Sequence, residues 1–219
     1  MRTASMALPK QSKTKKHHPS LPWQQVPDFI SNMEDVLGSG ENVRLGIELI
    51  ILTAARTGEV RQMCWNDIGL EGKCWTVPAS KMKTGIEHRV PLSARAVDIL
   101  ARMAELKRTT DMAAHVFEGS RWGQPLSQMT FPTAIRRAGL PITLHGFRAS
   151  FRNWCSEANS TPREIAEACL SHSVRNQTEA AYATTDHLER RRAVMDAWAL
   201  FCTGADARDN VTPIRKESA

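Results

Sequence analysis

The 219-residue sequence predicts a mainly α-helical domain with one small antiparallel β-sheet, an α+β fold class. Apolar residues recur at helical spacing in residues 43–55, and helical periodicity returns from residue 94 onwards. Between these stretches, residues 74–77 and 88–92 are rich in strand-forming side chains, and residues 83–85 form a turn that ends on glycine. The length suits one substantial domain.

The predicted helices begin and end at recognisable signals. Gly38 and Gly40 close the first helix, and Asn42 is a candidate cap for the second, which is apolar on nearly every face and therefore a central core element. The clearest start signal is Thr161, an N-cap that is followed by a first-turn proline and the capping-box residue Glu164. The predicted helices are residues 26–37, 43–55, 59–64, 94–107, 128–138, 145–157, 161–170, 176–183 and 187–201.

The chain divides into a basic flexible lead or linker at residues 1–20, a folded domain at residues 21–203 and a polar C-terminal tail at residues 204–219. The lead lacks the apolar stretch of a secretory signal, and no apolar run approaches the ~18 residues that span a bilayer. Two interpretations of the lead stay open, a disordered segment and an arm that contacts DNA phosphates. Its cationic side chains are Lys10, Lys13, Lys15, Lys16, His17 and His18.

The charge balance indicates a polyanionic partner. The net charge is +6 and the pI is about 9.3, which fits a nucleic-acid-binding protein but is weak evidence by itself. The five cysteines are odd in number and not closely paired, which argues against a disulfide framework or a zinc knuckle. Reduced thiols in a cytoplasmic protein are the simplest interpretation. The cysteines are Cys64, Cys74, Cys155, Cys169 and Cys202.

Two candidate functional residues lie in the first half of the chain. Arg56 ends the apolar helix, where a buried guanidinium requires an anion, either a ligand or a nearby carboxylate such as Glu59. Lys83 lies in the predicted turn between the two strands. A lysine there is most often a solvated surface residue, but a turn can also deliver an ammonium group to a bound phosphate.

The second half of the chain adds four candidates. His145 and Arg148 are three residues apart on a predicted helix and so share a face, as in a phosphate cradle or an ordinary polar surface. His172 follows a helix end, a position where a histidine is usually structural. Tyr182 is the only tyrosine, and small alanines flank it; a core aromatic is its usual interpretation, but these neighbours would leave its hydroxyl accessible.

Taken together, these side chains have a coherent chemical use. Arg56 and Arg148 can neutralise the charge that develops on a phosphodiester under attack. Tyr182 has an ordinary pKa of about 10 and needs cationic neighbours and a histidine base to act as a nucleophile. Lys83 can protonate the leaving oxygen. We therefore expect neither a metal ion nor any other cofactor.

The order Arg56, Lys83, His145-x-x-Arg148, His172, Tyr182 resembles that of the tyrosine recombinase, or phage integrase, family, and most closely the P4-like prophage integrases. The resemblance runs from about residue 21 to residue 201, and the short sequence motif around each of these residues also matches. The matching segments are TAARTGE at residues 53–59, KTG and HRVPLS at residues 83–93, LHGFR at residues 144–148, LSHS at residues 170–173 and AAY followed by Asp186.

The resemblance implies a tyrosine recombinase catalytic-domain fold and a topoisomerase-like reaction. Tyr182 would attack a DNA phosphate, form a 3′-phosphotyrosyl link and release a 5′ hydroxyl, and a second DNA end would reverse the step. By the same resemblance, both arginines and His172 bind the scissile phosphate, Lys83 is the general acid and His145 assists proton transfer. Glu59 matches an acidic position that supports the site.

The resemblance also implies double-stranded DNA as the partner, a monomer in solution and a tetramer on DNA. Full-length family members carry an N-terminal DNA-clamping domain, whereas about twenty residues precede the matching part here. We therefore expect a truncated gene product or an excised domain that binds DNA weakly and with little specificity. Two alternatives are a type IB topoisomerase-like nicking and resealing enzyme and an inactive DNA-binding remnant.

Overall fold

The computed structural model describes residues 19–82, 84–172 and 186–204. Lys83, Tyr182 and the predicted helix at residues 176–183 lie outside the described residues, as do most of the lead and of the tail. Within the described ranges the chain is mainly α-helical with one small antiparallel sheet, which confirms the predicted fold class.

The elements follow the predicted order. None of the described helices is long and apolar enough to cross a membrane. The helices are α1 (Val26–Ser31), α2 (Met33–Leu37), α3 (Glu41–Thr53), α4 (Thr57–Arg61), α5 (Ala94–Glu105), α6 (Thr130–Arg137), α7 (Gly146–Glu157), α8 (Arg163–Cys169) and α9 (Leu188–Thr203), and the strands are β1 (Ile68–Gly69), β2 (Cys74–Val77) and β3 (His88–Pro91).

Helix α3 is the centre of the core, and α9 packs across it. Every residue of α3 from Gly46 to Thr53 is buried, as the mostly apolar sequence predicts, and the buried Glu48 is paired with Arg95 at 2.7 Å. Trp198 of α9 is fully buried and donates its indole N–H to the Ile51 carbonyl at 2.9 Å. Helix α9 also packs against α1, α8 and β3, and its first residue is six positions after Tyr182 in the sequence.

The three strands form a sheet in the order β1-β2-β3, with antiparallel neighbours. In the pairing of β2 with β3, Thr76 lies opposite Arg89 and Val77 lies opposite His88. Both of these longer strands were predicted. The third strand, β1, was not, because two residues are too few to carry an alternating pattern.

Several predicted helix boundaries are wrong for local reasons. Asn32 interrupts the helix predicted at residues 26–37, and its side chain donates to the Asp28 carbonyl at 2.8 Å. Helix α3 begins at Glu41 and ends at Thr53, because Ala54 adopts a left-handed conformation with φ of 48°. Helix α4 consequently begins at Thr57, two residues before the predicted start.

Thr161 does not cap α8. The helix begins at Arg163, and the N-cap position is Pro162. The backbone N–H of Thr161 donates to the Cys155 carbonyl at 2.7 Å, and its hydroxyl accepts from the Asn159 side chain at 2.9 Å. Contacts with the end of α7 thus replace the local capping that the sequence predicts.

Candidate active site

The left-handed turn at Ala54 directs Arg56 to the start of α4. Glu59 accepts from the Arg56 backbone N–H at 2.9 Å and from its Nη1 at 2.7 Å, so one carboxylate holds both the backbone and the guanidinium. The Glu59 side chain is 6% exposed and that of Arg56 is 24% exposed. The ion pair with Glu59, one of the two interpretations drawn from the sequence, is therefore present, and the arginine still reaches solvent.

Arg148 lies on the first turn of α7 and, unlike Arg56, is buried. Its Nη2 donates to the Leu170 carbonyl at 2.6 Å, and its Nη1 donates to the carbonyl of Ala54. Burial, followed by the positive charge of Arg56, lowers the pKa of Arg148 to about 10. The guanidinium is still protonated at neutral pH, but it is held among neutral carbonyls.

The two guanidiniums converge on one short stretch of backbone. Arg148 donates to the Leu170 carbonyl, and Arg56 Nη2 lies 3.4 Å from the carbonyl of the next residue, Ser171. Two positive charges that lie this close repel each other, and a bound anion would relieve the repulsion. The geometry thus suits a phosphate group, which accepts hydrogen bonds from several arginines.

His172 joins the same cluster through both ring nitrogens. Its Nε2 lies 3.2 Å from Arg148 Nη2, and its Nδ1 lies 2.6 Å from Glu167 Oε2. The Glu167 carboxylate accepts a hydrogen bond from Nδ1–H, and this assigns the tautomer in which the Nε2 lone pair accepts from Arg148. The side chain is 46% exposed, so the cluster opens to solvent at this histidine.

Glu167 is a site residue that the sequence did not indicate. It also accepts from Arg152 Nε at 2.8 Å, and its backbone carbonyl accepts from the His172 N–H at 3.0 Å. Burial raises the pKa of Glu167, but hydrogen bonds from Arg152 and His172 outweigh it and lower the pKa below its ordinary value. Glu167 and His172 are five residues apart across a helix end, so no helical spacing links them in the sequence.

His145 lies at the N-cap of α7 with helical dihedral angles, and the Arg148 N–H donates to its carbonyl at 3.2 Å. The two residues are thus one turn apart, as predicted, but His145 is exposed whereas Arg148 is buried. The histidine lines a groove of about 620 Å³ together with Thr57, the neighbour of Arg56, and residues of α6. His145 therefore faces a groove that also reaches the residue next to Arg56.

Two proposed site residues, Lys83 and Tyr182, lie outside the described residues, but their flanks are defined. Lys81 Nζ donates to Asp67 Oδ2 at 2.6 Å and to the Gln62 carbonyl at 3.0 Å, which anchors the chain two residues before Lys83. Asp186, four residues after Tyr182, pairs with Arg89 of β3 at 2.8 Å. The chain is therefore attached to the fold at Lys81, before Lys83, and at Asp186, after Tyr182.

The fold is that of tyrosine recombinase catalytic domains, as solved structures show. An integrase from mycobacterium phage Brujita superposes with a TM-score of 0.59 at 21% identity, over 87% of this chain and 61% of that one. A λ integrase (residues 75–356) dimer bound to a COC′ core site gives 0.52 at 23% identity, over 80% and 62%.

The family model described as "Phage integrase family" matches residues 20–189, and the chain therefore belongs to this family. Among curated relatives, the Escherichia coli K12 prophage integrase IntA is 32% identical over 88% of this chain and 46% of its own length. The integrase of Enterobacteria phage P4 is 30% identical over 84% and 45%. The chain thus spans about half the length of the curated relatives it matches.

Proposed function

We propose that this chain is the catalytic part of a site-specific DNA recombinase of the prophage integration and excision type. The observation that carries the proposal is the convergence of Arg56 and Arg148 on the Leu170–Ser171 backbone, with His172 beside them. Membership of the phage integrase family supports the same function. In this proposal double-stranded DNA is the substrate, and residues 21–203 form the catalytic domain.

In the proposed reaction, the scissile phosphate binds between the two guanidiniums and the exposed edge of His172. The Tyr182 hydroxyl attacks phosphorus, so that a P–O bond to tyrosine forms and the bond to the 5′ oxygen breaks. Lys83 gives a proton to the departing oxygen, and His145 assists the transfer of the tyrosine proton. Glu59 and Glu167 are positioning residues, because they hold Arg56 and His172 respectively.

The decisive experiment uses a nicked suicide substrate, whose short 5′ product diffuses away and traps the covalent intermediate. The unsubstituted chain should form a protein–DNA adduct that resists denaturation, and Tyr182→Phe should form none, because only the phenolic oxygen is lost. Adduct formation is read by denaturing electrophoresis. An adduct that persists in Tyr182→Phe would contradict the proposed nucleophile.

The assembly and cellular place of the chain are part of the same proposal. We infer a monomer in solution, a tetramer on DNA, and a cytoplasmic location with the nucleoid as the site of action. Residues 1–20 would act as a linker or DNA-contacting arm, and residues 204–219 as a tail. Light scattering during gel filtration, with and without duplex DNA, tests the change of oligomeric state; a stable tetramer without DNA would contradict it.

A further inference from the structure

Outside the cluster of arginines and His172, one ion pair joins two chain segments that flank proposed catalytic residues. Arg89 Nε and Nη2 each lie 2.8 Å from Asp186 Oδ2. Arg89 belongs to β3, the strand that follows the Lys83 turn, and Asp186 is the fourth residue after Tyr182. The pair therefore connects the chain just after the nucleophile to the strand just after the general acid.

The buried Arg191 adds backbone hydrogen bonds to the same two residues. Arg191 of α9 is 2% exposed, and its Nη1 donates to the Asp186 carbonyl at 3.2 Å. Its Nη2 donates to the Arg89 carbonyl and lies 3.4 Å from His88 Nε2. Asp186 is thus held by its side chain and by its backbone, and both attachments lead to β3.

The charges of this arrangement persist at neutral pH. Burial raises the pKa of Asp186, but the hydrogen bond and charge of Arg89 outweigh it and lower the pKa below its ordinary value. Burial, and then the charge of Arg191, lower the pKa of His88 to about 3, so the imidazole is neutral and can accept from Arg191.

We propose that Arg89 and Asp186 form a clamp that fixes the C-terminal end of the Tyr182 segment to β3 and so sets the position of the nucleophile relative to Lys83. The inference rests on the proposed function. Both side chains are partly exposed, at 45% and 39%, so the fold depends little on the pair. The reaction is more demanding, because a displacement of about 1 Å can slow a reaction roughly 100-fold.

The test compares Arg89→Gln and Asp186→Asn with the unsubstituted chain on the suicide substrate at saturating DNA. Each single variant should form the adduct more slowly, by up to about 100-fold, because misplacement of the nucleophile acts on the rate of attack. DNA affinity and melting temperature should stay unchanged. The double variant Arg89→Gln with Asp186→Asn should react no more slowly than the single variants, because both changes remove the same ion pair and their effects are therefore not additive.

A matched control is available in the pair of Arg102 and Glu41, whose exposed fractions of 47% and 41% resemble those of the clamp. Glu41→Gln removes this surface ion pair, while Arg102 keeps its pair with Glu105, and the rate of adduct formation should stay unchanged. Single clamp variants that react at the unsubstituted rate would overturn the clamp while the proposed function stands. A loss of affinity in Arg89→Gln, with Asp186→Asn unaffected, would make Arg89 a DNA contact instead. Absence of any adduct from the unsubstituted chain would reject the proposed function and the clamp with it.

Discussion

At the scale of single residues, the site places one guanidinium, that of Arg148, where little solvent can screen its charge. Arg148 is 5% exposed, and its guanidinium contacts carbonyl oxygens and His172 rather than a carboxylate. Arg56 forms an ion pair with Glu59, but the positive charge of Arg56 still lowers the pKa of Arg148. Since a buried charge is tolerated only when it is well paired, such a site gains most from an anionic ligand.

The same scale shows which site residues a sequence can reveal. Arg56, Arg148 and His172 could be predicted because each falls in a recognisable motif, and the structure brings these three together. Glu167 could not, because its link to His172 crosses the end of α8 and depends on how the chain turns after Leu170. The carbonyls that hold Arg148 are likewise invisible to motif analysis, since any residue supplies a carbonyl.

His88 should make the stability of the fold depend on pH. Its pKa is about 3 in the folded protein and about 6.5 when unfolded, so the unfolded chain binds more protons between these values. The contribution of His88 to the free energy of unfolding is therefore fully present above pH 6.5. It is lost as the pH falls towards 3, by at most about 5 kcal/mol. Urea unfolding at pH 7, 5.5 and 4 should show this decline.

The His88→Gln variant isolates that contribution, because glutamine keeps an acceptor for Arg191 and does not titrate. Its stability should change less between pH 7 and pH 4 than that of the unsubstituted chain. Burial also lowers the pKa of His115, which leaves a smaller dependence of the same sign in the variant. Equal pH dependence in both chains would contradict the assignment to His88.

At the scale of elements, helix order was predictable and helix ends were not. The apolar sequence of α3 and the strand pairs of β2 and β3 are strong local signals, and all three elements occur where the sequence places them. Asn32 and Ala54 break or end helices through backbone conformations that their side chains do not require. Thr161 shows the opposite case, since a good capping sequence is overridden by hydrogen bonds to the end of α7.

The approach of α3 to α6 depends on a missing side chain. A Cβ at Gly46 would lie 2.5 Å from Phe131 Cε1, and Phe131 is fully buried. Gly46→Ala should therefore destabilise the fold by about 1–3 kcal/mol, even though alanine favours a helix by about 1 kcal/mol. Guanidinium unfolding measures the change as a lower midpoint.

Gly58 provides the matched control for that substitution. It lies within α4, and a Cβ there would meet no atom of another element in the described part of the chain within 4 Å. Helix propensity alone then acts, and Gly58→Ala should stabilise the fold by roughly 0.5–1 kcal/mol. If both variants shifted the midpoint in the same direction, steric contact with Phe131 would not be the deciding effect at Gly46.

At the scale of the whole molecule, the net charge of +6 accompanies a chain that spans about half of its curated relatives. We expect DNA binding by this chain to be weak and governed by phosphate contacts. When the salt concentration rises from 50 to 200 mM, binding should weaken about 3.5-fold for each phosphate contact that the protein makes. This corresponds to a slope of log affinity against log salt near −0.9 per contact. Fluorescence anisotropy with two unrelated duplexes measures both the slope and the preference between sequences.

The duplexes should bind with similar affinity at every salt concentration, because phosphate contacts carry no sequence information. The double variant Lys107→Gln with Arg190→Gln removes two positive charges outside the site. Its DNA affinity, compared with that of the unsubstituted chain, shows how much surface charge alone contributes to binding. A tight complex with one duplex that persists at 200 mM salt would contradict the expectation and would place specificity within this chain.

The anchoring of Lys81 has a consequence for how substitutions at Lys83 are interpreted. Burial lowers the pKa of Lys81, but hydrogen bonds with Asp67 and Cys64 outweigh it and raise the pKa above its ordinary value. An ammonium that binds its proton so firmly and is fixed to Asp67 is a poor proton donor and a slow target for acylating reagents. In the proposed reaction Lys81 therefore does not replace Lys83 as proton donor, and we expect Lys81 to be acylated more slowly in the native chain than after unfolding.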